Sequence, residues 1–358
     1  MPRPRLDPRT PLTELHVHLG AAVTPAVMWG IAHAQGIRLP TKDYWAFRDL
    51  ITVGRRRRRS FDAYLDLFHW TELIQSSPIA VERSVYEVIG GAYRKSNITR
   101  IELRFNPMKR NRGGEQDLDH IIAAAVRGMD RAVLEYPQVR AGLIFCLDRG
   151  FSRELNEIIA AKAISWHSRG VVAVDIAGPV EPSFRFADYR DLFDECRRAG
   201  LGVTVHAGET GGPEEVRDAI EGLEPTRIGH GVKSAYDPRV MAMLRERGIV
   251  LEVCPSSNLT TRVVRNAAEM RFILRSLLDN GVPFTLSTDG PEMLGSHLRD
   301  EVSMLLRTEM MSLDEVGRAI ETAHGASFVD LAPISPEATA GVGADLDQLA
   351  PIGLEIEV

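Results

Sequence analysis

Two histidines one residue apart, His16-Val17-His18, stand at the end of an apolar run near the start of the chain. In a strand, residues i and i+2 project to the same side, so the two imidazoles converge there, the minimum geometry for sharing a metal ion. HxH alone is a weak signal, since single histidines are commonly structural or superficial. Three further segments raise its value. His206-Ala207-Gly208-Glu209 ends a second apolar run, its small residues leaving room for a ligand. His230 ends a third in Arg227-Ile228-Gly229-His230-Gly231, and Asp289 a fourth in Ser287-Thr288-Asp289-Gly290-Pro291. Neutral imidazoles with one carboxylate suit zinc, which in catalytic sites keeps a coordination position open for solvent. Zinc lowers the pKa of a bound water towards ~7. The remaining acid and base then find roles: Glu209 is placed to pass a proton to a ring nitrogen, and His230 to orient the attacking water.

Residues so far apart in sequence need a scaffold that collects them. Apolar, β-rich runs are expected as strands at Glu14–Leu19, Arg100–Phe105, Gly142–Leu147, Val171–Ile176, Gly202–His206, Arg227–Gly229, Ile249–Val253 and Phe284–Thr288. Several are almost continuously apolar, as strands buried on both faces should be. Between them, Leu118–Tyr136 and Arg153–Arg169 carry apolar residues at helical spacing, and Pro238–Arg247 and Glu269–Asn280 do so more briefly. Alternating strands and helices of this number predict an α/β fold, a TIM-type (β/α)8 barrel. The connection from Thr24 to Asn97 is too long for a simple crossover and is expected to hold extra helices as a lid. The tail is expected to be helical from Met304 to His324 and then loop-rich. Residues 1–358 are read as a single barrel domain. In such barrels chemistry sits at the C-terminal ends of the strands, where His16, His18, His206, Glu209, His230 and Asp289 all fall.

Composition bounds the rest. The 358 residues are 44% hydrophobic with a formal net charge of -6, ample for one large core and without the basic footprint of a nucleic-acid binder. No apolar run is long enough for a membrane span, and the polar N-terminus does not read as a signal peptide. Three cysteines, Cys146, Cys196 and Cys254, lie far apart, which suits a reduced compartment. These features predict a cytoplasmic protein acting on a small molecule, and leave the oligomeric state open. Arg55 to Arg59 is an unbroken arginine run, read first as a solvated segment.

As an ordered set these motifs resemble the adenosine deaminase family of the metal-dependent amidohydrolases, over about residues 13 to 330. Glu102-Leu103-Arg104-Phe105, Asp175-Ile176-Ala177-Gly178 and Cys254-Pro255-Ser256-Ser257-Asn258 look like further landmarks of that family. The resemblance implies hydrolytic deamination of adenosine or a modified adenosine, 6-amino to 6-oxo with release of ammonia. It implies one zinc ion per chain held by His16, His18, His206 and Asp289. Glu209 matches the acid that protonates purine N1, His230 the partner of the attacking water, and Gly178 the residue whose backbone N–H meets purine N3. Ser60 to Phe68 resembles the family's gating helix, and Phe61, Tyr64, Leu65 and Phe68 fall on one face, either roofing the pocket or packing as core.

Two positions depart from the family. It usually carries an acid after the HxHL motif, for the ribose 5′-hydroxyl; here the position is Gly20. It usually reads TDDP at the eighth strand, the second acid contacting purine N7; here the position is Gly290. Neither is a metal ligand, so the chemistry is expected to survive. Space near the 5′ end then makes a bulkier or anionic substituent plausible, met by the arginine run, with Glu292 or another group as a replacement at N7; the plain alternative is that the loops have drifted and adenosine is still the substrate. Two other readings remain: an amidohydrolase acting on another aminated heterocycle, including adenine and N6-substituted or phosphorylated adenosines, and a non-catalytic binding protein on the same barrel. The latter predicts damage to the metal set, and none is visible. His297 and His324 are read as structural or superficial.

Overall fold

The computed structural model describes residues 5–53, 60–111, 117–179 and 182–329. Eight strands, β1 Leu12–His18, β2 Ile98–Phe105, β3 Arg140–Asp148, β4 Val171–Ala177, β5 Gly202–Ala207, β6 Arg227–His230, β7 Val250–Val253 and β8 Phe284–Leu286, lie in sequence order. Every neighbouring pair is parallel. The sheet closes on itself where β8 has already run out. Asp289 bridges Val17 in parallel, its N–H donating to the His16 carbonyl (2.8 Å) and its carbonyl accepting from the His18 N–H (2.9 Å). Every expected strand is present, with ends displaced by a few residues. The eighth was expected to reach Thr288 but its ladder stops at Leu286, because the backbone turns into the left-handed region at Asp289 (φ 63°).

The expected helices also form. Leu118–Glu135, Pro238–Arg247 and Ala267–Asp279 cover the barrel. The helix expected to run to Arg169 stops at Ser165; a short 3-10 turn, His167–Arg169, and Gly170 at φ 101° redirect the chain into β4. Buried aliphatic side chains between barrel and helices form the main core. Between β1 and β2 the described residues form five helices, Leu19–Ala22, Pro25–Ala34, Tyr44–Ile51, Phe61–Ile74 and Pro78–Ser96. Several begin at polar caps: Thr24 before Pro25, Ser60 before Phe61 and Ser77 before Pro78 each accept a backbone N–H of the first turn. After β8 come Pro291–Leu294, Leu298–Arg307 and Leu313–Gly325. His324 of the last helix lies 2.6 Å from the Thr13 hydroxyl, a structural contact as expected. Arg55 to Arg59 and the tail from 330 lie outside the described residues. Among the described residues no helix is long and apolar enough to cross a membrane.

Candidate active site

The end of β1 turns His16 and His18 to the barrel interior, His16 wholly buried and His18 at the mouth, while a register shift between Glu14 and Val17 interrupts the alternation before them. β5 brings His206 opposite them, with His18 and His206 Nε2 atoms 3.2 Å apart. Ring nitrogens of His16, His18 and His206 all lie within 4.8 Å of one another. Asp289 Oδ1 is 3.8 Å from His16 Nε2 and 3.5 Å from His18 Nε2. His230 and Asp289 both adopt the left-handed backbone (φ 61° and 63°), a conformation costing about 1–3 kcal/mol outside glycine and typical of functional turns. It tips both side chains inward as their strands end.

A buried carboxylate sits behind two of the imidazoles and sets their tautomers. His16 Nδ1 is 2.7 Å from Glu252 Oε2, and His206 Nδ1 is 2.9 Å from Asp175 Oδ2. Each Nδ1–H is donated to its acid, so each Nε2 turns a lone pair to the centre. His16 Nε2 is buried with no hydrogen-bond partner. The acids belong to a fully buried network in which Arg104 joins Asp175 (2.9 Å) to Glu252 (2.7 Å), and Arg227 joins Glu252 (2.7 Å) to Glu102. Burial opposes ionisation of Asp175, but the hydrogen bond from His206 and the Arg104 guanidinium prevail and hold it far below the usual carboxylate range. Three carboxylates against two guanidiniums leave one negative charge, and Asp289 adds another. Converging lone pairs, an orphaned buried nitrogen and a local charge of this sign fit a divalent cation, with His16, His18, His206 and Asp289 as its ligands. Burial, followed by neighbouring positive charge, holds His16 and His18 well below the ordinary histidine value, so both are neutral donors. Cys254 also groups with His16 and His230, but burial and the Asp289 charge push its thiol up, keeping it neutral.

Glu209 follows Gly208, whose positive φ (64°) and the 2.3 Å between a Cβ there and Val216 Cγ2 admit only glycine. The Glu215 carboxylate accepts the Gly208 N–H at 2.7 Å and fixes this turn. Glu209 Oε1 stands 3.5 Å from His230 Nε2. Burial, then the Asp289 and Glu215 charges, pushes the Glu209 carboxyl well above the usual range, which favours its protonated form. The Asn258 amide, 3.1 Å from His230 Nδ1, fixes that ring with Nε2 towards the cavity. Ser257 donates to Asp289 Oδ2 at 2.6 Å. The cavity, about 350 Å³, is lined by His18, His206, Glu209, His230 and Asp289, by Gly20 and Gly178, and by Phe61, Tyr64, Leu65 and Phe68. The helix face marked in the sequence therefore borders the cavity. Gly178 lies just beyond β4 with Asp148 beside it.

The sequence model described as adenosine deaminase matches residues 11–333. The chain belongs to the adenosine deaminase family. It is an enzyme of the deaminase type, a hydrolase. An adenosine deaminase of Shewanella loihica is 32% identical over 298 residues, 83% of this chain and 87% of the relative. An adenine deaminase from Arthrobacter aurescens has a similar fold, with a TM-score of 0.79 at 20% identity over 92% of this chain and 99% of the other. An N6-mAMP deaminase from Arabidopsis gives a TM-score of 0.76 at 22% identity over 90% and 94%.

Gly20 and Gly290 are both closely surrounded. The expected space at Gly20 is filled: a Cβ there would lie 2.9 Å from Phe68 Cδ1 and 3.1 Å from an Arg110 Nη. At Gly290 a Cβ would lie 2.7 Å from Ala21 Cβ and 2.8 Å from the Tyr64 hydroxyl. Glu292, expected as a substitute at N7, instead pairs with Lys95, lies 3.7 Å from half-buried His297, and borders a separate recess. Burial, then Asp289 and Glu209, pushes the Tyr64 phenol well above its ordinary value. Sequence reasoning gave no role to Glu252, Glu215, Ser257 or Arg110. Only the position of Ser257, and of its neighbour Asn258, just after the seventh strand marked either of them.

Proposed function

We propose that this chain is a zinc-dependent deaminase of a 6-aminopurine nucleoside. The observation that carries the reading is the convergence of the His16, His18 and His206 imidazoles and Asp289 around the orphaned His16 Nε2, with Glu209 in the same cavity. His16, His18, His206 and Asp289 would hold the ion, which when bound supplies Lewis acidity and makes water acidic enough to deliver hydroxide near neutral pH. Glu209 donates its proton to N1, drawing electron density from C6. His230, neutral because burial and nearby charge keep it well below the ordinary histidine value, orients the water over C6. Water adds at C6 and gives up both its protons, one to the amino group and one restoring Glu209; the C6–N bond breaks, ammonia leaves, and the proton given by Glu209 stays on N1 of the 6-oxo purine. The backbone N–H of Gly178 is placed for purine N3. Phe61, Tyr64, Leu65 and Phe68 roof the cavity and exclude bulk water, a lid role for their helix.

One observation favours a nucleoside carrying an anion at its ribose end: the buried Arg110 guanidinium stands beside Gly20, where the family usually places an acid. Deamination of a nucleotide is the activity named for the Arabidopsis neighbour. Deamination of adenine, adenosine, 2′-deoxyadenosine, AMP, 5′-thio-adenosines and N6-substituted adenosines, followed by the change in absorbance and by release of ammonia, or of the substituted amine from the N6-substituted compounds, tests both readings. Turnover of at least one 6-aminopurine is expected. Release from none overturns the deaminase reading for this substrate class, and kcat/KM for adenosine far above that for AMP and 5′-modified adenosines overturns the preference for an anion.

A further inference from the structure

The helix Phe61–Ile74 seats two rings where the two glycines present no side chain, Phe68 against Gly20 and Tyr64 against Gly290. Tyr64 and Phe68 are four residues apart, hence on one face, and pack edge to face with centroids 5.5 Å apart. With the Tyr64 oxygen 2.8 Å from a Cβ at position 290, no carboxylate side chain fits there while the helix holds this position. The polar group on that wall is the Tyr64 hydroxyl. It lines the cavity and lies 3.2 Å from Asp289 Oδ2. That oxygen also accepts from Ser257 at 2.6 Å, so the phenolic proton is free to turn elsewhere without stranding it.

The shape of a purine decides where the proton goes. C6 is flanked by N1 on one side and, across C5, by N7 on the other. Glu209 stands at the His230 edge of the cluster (3.5 Å) and Tyr64 at the Asp289 edge (3.2 Å). A purine with N1 at Glu209 and C6 over the cluster therefore presents N7 to Tyr64. We infer that the Tyr64 hydroxyl is the group that recognises purine N7, turning its O–H from Asp289 to the N7 lone pair when the nucleoside enters. The inference rests on the proposed deaminase reading and deepens it: selectivity for the imidazole half of the base is supplied by the helix after β1 and not by the turn after β8.

Adenosine and 7-deazaadenosine differ by replacement of N7 with a C–H, and their products inosine and 7-deazainosine differ likewise. The Kd of each product for the purified protein, by calorimetry, reads the contact without the chemical step. Kinetics with the two substrates supply kcat and KM. Wild-type protein is expected to prefer the N7 ligand roughly tenfold, the effect of one neutral hydrogen bond. In Tyr64→Phe the ratio is expected to fall towards one, chiefly through KM. A role confined to holding Asp289 would weaken both ligands alike and leave the ratio unchanged, which overturns the inference. Equal affinities in wild-type protein overturn it without any variant. Ammonia release from neither substrate, with neither product bound, overturns the unmodified nucleoside as ligand and the inference with it, whereas the deaminase reading falls only if the whole set of 6-aminopurines is also inert. Turnover with a ratio that survives Tyr64→Phe removes only the role of Tyr64.

Discussion

Replacing Glu252 by Gln changes one oxygen to an amide nitrogen at the centre of the buried network. Glu252 accepts from His16 (2.7 Å), Arg104 (2.7 Å), Arg227 (2.7 Å) and Thr204 (3.0 Å), and no part of it reaches solvent. Oε2 receives His16 and Arg104, and Oε1 receives Arg227 and Thr204. Whichever way the glutamine amide is turned, its NH2 faces two donors and the two guanidiniums lose a shared counter-charge. Breaking one side of a buried ion pair costs about 3–5 kcal/mol, and at an unfolding entropy of roughly 2.1 cal/mol/K per residue over 358 residues the midpoint falls by about 4–7 °C. His16 also loses the acceptor that fixes its tautomer, so affinity for zinc falls about 10–100-fold. Thermal unfolding by circular dichroism reads the first effect, and competition with a calibrated chelator the second. A variant within about 1 kcal/mol of the parent, with unchanged zinc affinity, would refute the account of Glu252 as anchor of both barrel and ligand.

Three further outcomes are expected. Glu209→Gln keeps size and zinc content but cannot donate a carboxylic proton, so kcat falls by roughly 10²–10⁴; near-parental turnover in a steady-state assay rules Glu209 out as the donor. Gly20→Ala and Gly290→Ala drive a methyl against Phe68 and against Ala21 and Tyr64, costing about 1–3 kcal/mol each, read as a lower denaturant midpoint at unchanged slope; unchanged midpoints mean the helix does not sit on these glycines. Glu301, buried under Ser256 and Ser296, is pushed up by burial from 4.5 to about 7. Its carboxyl ionises first in the unfolded chain, so its contribution is fully present below pH 4.5 and is lost as pH rises through about 7, on the order of 3 kcal/mol across that window. Glu301→Gln should flatten stability between these limits, and an unchanged profile contradicts the shift.

Barrel and chemistry were legible in the sequence for the same reason. Apolar runs mark strands, and strand ends carry the reactive residues, so His16, His18, His206, Glu209, His230 and Asp289 could be placed on one rim before any coordinates. Glu252 was not legible. It lies in a short, doubly buried strand where an inward carboxylate has no periodic signature, and its meaning depends on Arg104, Arg227 and His16 from three other strands. The glycines at 20 and 290 were noticed as losses, but the expected vacancy did not follow. A missing side chain leaves room only if nothing else enters, and the entering rings, Phe68 and Tyr64, come from a helix whose docking no local pattern specifies. Glu292 failed as a substitute for a similar reason: Lys95, distant in sequence, turns it away.

The central claim is metal-assisted deamination at the His16, His18, His206 and Asp289 cluster, and its most direct test is zinc content measured alongside ammonia release. Protein stripped by chelator and reloaded stepwise should bind one zinc per chain and release ammonia from a 6-aminopurine nucleoside in proportion to occupancy. Full turnover by metal-free protein, or a fully loaded protein that releases none from any 6-aminopurine, would contradict it.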